Sequence, residues 1–146
     1  MSLKDLMTLN VGRRIFQTTR VTLVSHPGSF LANMFSLDSS EAATVSPDGA
    51  FFIDADPDAF SVVLNWPRRK KLMMTARTTL ENVAVEAEYF QLDDLKKEVE
   101  GRIKEIKQAE KKKVREKREN DEAKQEALEE ISSSISSFRE RFGRSY

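Results

Sequence analysis

The chain has 146 residues with 24 basic and 24 acidic side chains, so its formal net charge is zero. Nucleic acid and anionic membranes attract proteins with a net basic field, and the balanced charge argues against both as partners of the whole chain. The lack of cysteine excludes disulfides and thiolate zinc sites and fits a reducing compartment. No stretch approaches the roughly 18 apolar residues of a membrane helix. We therefore expect no membrane span and a cytoplasmic location, with the nucleus as the alternative.

Residues 9–35 predict a hairpin followed directly by two short helices. Apolar and β-forming residues alternate over residues 9–19, with a turn at residues 12–14, where Gly12 can take a positive φ. Residues 22–25 predict a helical turn, and Ser29 is placed to cap a new helix. That helix carries its apolar residues on one face: Phe30, Leu31, Met34 and Phe35.

The middle of the chain predicts a loop, a strand and two further helices. Residues 36–47 are rich in Ser, Asp, Ala and Thr and are interpreted as a mobile surface loop, and residues 50–53 as a short buried strand. Pro57 suits the first turn of a helix, which should end near Asn65 because Pro67 disfavours helical geometry before it. Thr78 or Thr79 should cap the next helix.

Charged residues dominate from residue 96 to residue 130 and predict a solvated helix. Pairs four residues apart, such as Lys112–Glu116 and Arg115–Glu119, would each add about 0.2–0.5 kcal/mol. An apolar seam begins this region and then fades: Val99, Ile103 and Ile106. A second seam has the 3-4-3-4 spacing of a short coiled coil: Leu128, Ile131, Ile135, Phe138 and Phe142.

The two seams are offset from one another. Ile106 and Leu128 are 22 residues apart, one more than three heptads. A single left-handed coiled coil through both seams would therefore need a break in the heptad register between them. Serines between residues 132 and 137 are mediocre helix formers, which leaves a frayed tail as the alternative. Exposing the second seam is costly, which favours a copy of this chain or another helical protein as its partner.

The hairpin and the segments after it resemble the BTB/POZ domains of the potassium-channel tetramerisation type, which include the cytoplasmic KCTD proteins. The matching segments are LNVG (9–12), FQTTR (16–20), TL (22–23), SHPGSFL (25–31), DGAFFID (48–54), DPDAF (56–60) and VLN (63–65). The resemblance implies an α+β BTB/POZ fold over residues 1–100, with a small, mostly antiparallel sheet flanked by helices. Residues 101–146 would form a long charged helix with a short coiled coil after this domain.

The resemblance also implies a function in assembly. Related domains associate into rings of four or five subunits through polar faces of the sheet and adjacent helices. The residues of this chain that match the family's motifs and are candidates for the interface between subunits are Asn10, Gly12, Phe16, Thr18, Thr19, Arg20, Thr22, Asp54 and Asp56. Arg13 stands where a second glycine is common, and Ala55 where an arginine is usual. We therefore predict a non-catalytic module for homo-oligomerisation and protein–protein interaction.

Two alternatives stay open. Several proteins of this type present substrates to a cullin-type ubiquitin ligase, so the chain could be such an adaptor. A continuous helix over residues 96–142 would reach roughly 70 Å, so the chain could also be a scaffold that spaces its N-terminal domains.

Catalytic and metal chemistry find little support in the residues. His26 is the single histidine, and without cysteine it cannot anchor an ordinary zinc site, so a packing or capping role is favoured. Asp54, Asp56 and Asp58 lack the spacing and closing glutamate of a calcium loop, and Pro57 interrupts them. No phosphate loop, nucleophile elbow or catalytic triad pattern appears. We expect no enzyme activity, no metal and no cofactor.

Two basic runs, residues 68–71 and 111–118, could bind nucleic acid or act as a nuclear import signal. Acidic residues lie directly after the second run and weaken its field. A solvated helical face is the favoured interpretation, with no nucleic-acid partner.

Overall fold

The computed structural model describes residues 5–36 and 44–143, so most of the predicted loop at 36–47 lies outside the described residues. The chain forms two compact units that divide between Lys104 and Glu105. We call residues 5–104 the head and residues 105–143 the tail. The elements are β1 (Leu6–Val11), β2 (Arg14–Thr19), α1 (Arg20–Leu23), α2 (Phe30–Phe35), β3 (Phe51–Ile53), α3 (Pro57–Arg69), α4 (Leu80–Tyr89) and α5 (Asp93–Phe142).

The head is an α+β unit built around a three-stranded sheet in the order β2-β1-β3. The central strand β1 runs antiparallel to β2 and parallel to the short β3, so the sheet is mostly antiparallel, as predicted. The chain turns between β1 and β2 at Gly12 and Arg13, which both take positive φ values. The hairpin predicted from the alternation is therefore confirmed.

Polar side chains fix the starts of the helices where the sequence predicted caps. Ser29 accepts the N–H of Ala32 at the start of α2, and Thr79 accepts the N–H of Asn82 at the start of α4. Asp56, for which no cap was predicted, accepts the N–H of Asp58 at the start of α3. The helical turn predicted at residues 22–25 instead begins at Arg20, because Thr19 caps it by accepting the N–H of Thr22.

The predicted end of α3 near Asn65 is wrong. The helix continues through Pro67 to Arg69 and ends at Lys70, whose left-handed conformation lets its N–H donate to the Trp66 carbonyl at 2.7 Å. An internal proline removes one helix hydrogen bond and costs about 3 kcal/mol. Burial of Trp66 against the core offsets that cost. The extension also carries Arg68 to β2, where its Nη2 donates to the Gln17 carbonyl at 2.8 Å.

One hydrophobic core lies between the inner face of the sheet and the helices of the head. Phe60 of α3 is fully buried at its centre, with ring centroids 5.2 Å from Phe16 and 5.3 Å from Phe90. The start of α5 also contributes, since Val99 is fully buried and Ile103 packs against the cluster. Val99 and Ile103 of the first apolar seam therefore belong to the head core, whereas Ile106, the last residue of that seam, is 48% exposed in the tail.

The tail consists of the remainder of α5, in which every described residue is exposed. The predicted ion pairs Lys112–Glu116 and Arg115–Glu119 are present at 3.7 and 3.3 Å. We call the second seam the apolar stripe, and its five side chains are 51–66% exposed: Leu128, Ile131, Ile135, Phe138 and Phe142. The rings of Phe138 and Phe142 lie 4.7 Å apart along it.

Candidate assembly surface

The strand register divides the sheet into an inner face on the core and an outer face. In β1, Asn10 lies opposite Ile15 of β2 on one side and Phe52 of β3 on the other. Residues directly opposite one another point to the same side of a sheet, and successive residues of a strand point to opposite sides. We call the side chains facing away from the core the outer sheet face: Leu6, Thr8, Asn10, Ile15, Gln17, Thr19 and Phe52.

Large apolar side chains are exposed on the outer sheet face. Leu6 is 49% exposed, Ile15 52% and Phe52 44%. Between Ile15 and Phe52, the Asn10 Oδ1 is buried and has no hydrogen-bond partner within the described part of the chain. An unsatisfied buried polar atom costs about 1–3 kcal/mol. An apolar row around such an atom is typical of a surface that another molecule covers.

Ile15 and Phe52 were not among the predicted interface residues, although the sequence holds a signal for both. Each belongs to a pair of consecutive apolar residues, Ile15-Phe16 and Phe51-Phe52. In a strand only one member of such a pair can face the core, because the side-chain period is two. Phe16 and Phe51 take the inner positions and pack against the core, so their neighbours must point outward.

Two of the predicted interface residues lie on the inner face. Phe16 packs its ring edge against Phe60, with the ring planes at 76°. Thr18 is only 5% exposed, and it lies opposite Met7 on the core side of the sheet. Both side chains support the strand from inside the head, so we propose that any effect of theirs on assembly is indirect.

Thr19, Arg20, Val21 and Thr22 form what we call the strand-end patch, at the junction of β2 and α1. The hydroxyls of Thr19 and Thr22 lie 3.1 Å apart, while Thr19 also caps α1. Arg20 Nη1 donates to the carbonyl of Phe35 at 2.6 Å and ties the junction to the end of α2. Val21 is 71% exposed beside them. The junction is thus a rigid surface with one exposed apolar side chain.

Gly12, Asp54 and Asp56 lie at the opposite end of the hairpin, which we call the turn-end patch. A Cβ on Gly12 would lie 2.7 Å from the Pro57 Cδ and 2.8 Å from the Ala55 carbonyl oxygen, and φ is +51°. Glycine is therefore required for the turn to pack against the loop after β3. The contact leaves Asp54 and Asp56 exposed beside the turn.

Charge at the turn-end patch is mainly acidic. Arg14 Nη1 donates to Asp58 Oδ1 at 2.7 Å, which neutralises that carboxylate. Glu86 of α4 lies near Asp56. Burial raises the pKa of Glu86, the Asp56 charge raises it further, and a hydrogen bond from the Asp56 backbone partly opposes both. The acidic side chains of this end thus lie close enough to influence one another.

The predicted interface residues therefore form two patches rather than one. Five residue steps along β2, from Arg14 to Thr19, separate the two ends of the hairpin by about 17 Å. Asn10 lies between the two patches, on the outer sheet face.

His26 joins separate elements of the head instead of capping its own corner. Its Nε2 lies 2.8 Å from Asp94 Oδ2 at the start of α5, and Lys70 Nζ lies 2.9 Å from the ring. Burial works to raise the pKa of Asp94, but the His26 hydrogen bond and other contacts lower it overall. His26 thus links the α1–α2 corner to Lys70, which follows α3, and to Asp94 at the start of α5. This gives the histidine a structural role.

A comparison with known protein families matches residues 7–100 to the BTB/POZ domain. The chain belongs to the BTB/POZ domain family. Within the matched range lie the outer sheet face (except Leu6), the strand-end patch and the turn-end patch.

Similar BTB/POZ proteins carry names of the KCTD type. The chain is 41% identical over 101 residues to human KCTD9, which is 68% of this chain and 26% of that protein. It is 38% identical over 104 residues to human KCTD5, covering 71% and 44% of the two chains. The mouse potassium channel regulatory protein is 40% identical over 96 residues, covering 65% and 36%. The chain thus spans less than half the length of each of these relatives.

The described residues present no metal or membrane site around the BTB/POZ fold. No three His, Cys, Asp or Glu side chains among residues 5–36 and 44–143 are grouped to hold a metal ion. None of the helices that the structure describes is both long and apolar enough to cross a bilayer.

Proposed function

We propose that the head is a non-catalytic self-association module that assembles four or five copies of this chain into a ring. Membership of the BTB/POZ family supports association with other protein chains. The observation that carries the proposal is the outer sheet face, where Leu6, Ile15 and Phe52 expose about half of their side chains. Covering the exposed half of one such side chain would contribute about 1 kcal/mol, and every subunit of a ring would repeat the gain.

The two patches offer the two different surfaces that a ring requires of each subunit. In a ring each contact is heterologous, so one surface of a subunit meets a different surface of its neighbour. The turn-end patch and the strand-end patch offer two such surfaces, one at each end of the hairpin. In this proposal Asp54 and Asp56 of one subunit approach Thr19, Val21 and Thr22 of the next.

Charge on the two patches agrees with this pairing. The turn-end patch presents Asp54 and Asp56, both exposed, with Glu86 nearby. Near the strand-end patch, Arg68 is exposed and held on β2 by its hydrogen bond to Gln17. Complementary charges fix the register of an interface and speed its formation more than they strengthen it. The resulting association should therefore weaken moderately at high salt while its apolar part persists.

Mixing two damaged chains tests the heterologous contact. Both chains carry Ile131→Asp, which places a charge in the apolar stripe and prevents association through the tail. One also carries Asp54→Lys in the turn-end patch, and the other Val21→Asp in the strand-end patch. Each alone should have the light-scattering mass of the monomer, 16.7 kDa. A one-to-one mixture should raise that mass at least twofold, because each mixed pair keeps one intact contact and the two introduced charges, which meet at the other contact, have opposite signs.

Val85→Asp is the matched control, since Val85 is also an exposed valine but lies on α4. Added to a chain that carries Ile131→Asp, Val85→Asp should leave the light-scattering mass equal to that of the chain with Ile131→Asp alone. If the mixture of damaged chains stays monomeric, the two patches do not meet and the proposed ring geometry is wrong.

Presentation of substrates to a cullin-type ligase, the scaffold role and the cytoplasmic location stay predictions. The ring would occupy the two patches and the outer sheet face. A cullin would therefore have to bind elsewhere on the chain.

A further inference from the structure

The apolar stripe of the tail requires a partner, and its neighbouring charges indicate which one. The stripe occupies a single face of α5, and each of its side chains is more than half exposed. Residues beside it are small: Ala127, Ser132 and Ser134. Small residues let two helix backbones approach closely, so a second helix can cover the stripe from either flank.

Charge along the tail is divided into blocks. Residues 111–118 hold six basic side chains and one acidic, and residues 119–130 hold six acidic side chains and one basic. Beyond them, Arg139 and Arg141 lie near the end of α5 with Glu140 between them. A second copy aligned in parallel would place each block against an identical block and bring like charges together along both blocks.

The opposite orientation removes that repulsion. When Leu128 packs against Phe138 of a second copy and Ile131 against Ile135, Arg139 and Arg141 fall beside Gln125 and Ala127. Those positions lie inside the acidic block of the second copy, within one helical turn of Glu122 and Glu126. In this register the two basic blocks at 111–118 do not meet.

We propose that the apolar stripe pairs with the apolar stripe of a second copy of this chain in antiparallel orientation, centred near residue 133. The pairing buries the exposed leucine, isoleucines and Phe138 and places the arginines near the end of each α5 level with the acidic block of the other helix. It does not depend on association through the head.

Single cysteines report the orientation cleanly, because the chain has no cysteine of its own. Ser132 and Gln125 are seven residues apart and occupy the same flank of the stripe. In the antiparallel pair, the two copies of residue 132 are offset by about 3 Å along the helices, and the two copies of residue 125 by about 24 Å. In a parallel pair, both residues lie level with their counterparts.

The experiment uses the full chain with Ser132→Cys or Gln125→Cys, treated with a short bis-maleimide at micromolar concentration and analysed for covalent dimers. The proposal expects a dimer from Ser132→Cys and essentially none from Gln125→Cys. Adding Ile131→Asp to the Ser132→Cys chain should abolish the dimer while the helical circular dichroism stays unchanged.

Every other pattern overturns the proposal. Equal crosslinking at both positions would show parallel tails, and crosslinking at Gln125 alone would show a different register. Crosslinking at neither position would show that the stripe does not pair with itself in this way, and a dimer that survives Ile131→Asp would show that the stripe does not hold it. Since the head variants are absent from these chains, failure here leaves the proposed head function untouched.

Discussion

Replacing Ile15 by aspartate is expected to dissociate the head assembly into monomers. Ile15 is 52% exposed on the outer sheet face, opposite Asn10 and in line with Phe52. The proposed ring would cover this position, and an unpaired carboxylate in a covered apolar surface costs several kcal/mol. This loss of association free energy would be repeated at every contact between subunits of the ring.

Light-scattering mass after size exclusion measures this effect. In chains that carry Ile131→Asp, addition of Ile15→Asp should lower the mass four- or fivefold, to 16.7 kDa. Val85→Asp introduces the same charge at an exposed valine of α4 and should leave the mass unchanged. An unchanged mass for Ile15→Asp would show that the outer sheet face is not covered in the assembly.

Replacing Phe60 by alanine is expected to lower the free energy of unfolding of the head by about 3–5 kcal/mol. Phe60 is fully buried and contacts the rings of Phe16 and Phe90 within the core. Its removal leaves a cavity between the sheet and the helices, and a domain of this size has roughly 5–15 kcal/mol of stability in total. A large part of the native population would then unfold on moderate heating.

Phe52→Ala provides the matched comparison for Phe60→Ala. Phe52 is 44% exposed on the outer sheet face, so its removal should cost about 1 kcal/mol or less. Urea unfolding should be followed in chains that also carry Ile15→Asp and Ile131→Asp, so that dissociation does not contribute to the measured stability. Equal losses for the two phenylalanines would contradict the described division between core and outer face.

Local rules predicted much of the fold because they depend on neighbouring residues. Ser29 and Thr79 cap their helices in the structure as their sequence positions indicated, and Asp56 adds a cap to α3 that was not predicted. The turn at Gly12 also arises from local geometry, and its close approach to Pro57 gives a further reason for the glycine. Such features require only a hydroxyl, a carboxylate or a missing side chain at one position.

Contacts between distant segments were harder to predict. Pro67 marks a helix end by local rules, but burial of Trp66 and the contact from Arg68 to Gln17 carry α3 beyond it. The role of His26 depends on Asp94, which is 68 residues away. Neither contact leaves a pattern in the residues around it.

The sequence could supply only part of the proposed assembly surface. Sequence resemblance pointed to the segments that carry the two patches, but it could not show that Phe16 and Thr18 face the core while Ile15 and Phe52 face outward. Strand register decides this, and a shift by one residue would reverse it. The division of the predicted residues into a turn-end and a strand-end patch could likewise be recognised only once the positions of both hairpin ends were known.

Association through the head is tested most directly by the mass of the chain that carries Ile131→Asp alone. At tens of micromolar, light scattering should give four or five times 16.7 kDa, since the head remains intact and the tail no longer associates. A mass of 16.7 kDa for this chain would contradict the proposed function and leave the apolar stripe as the source of any assembly.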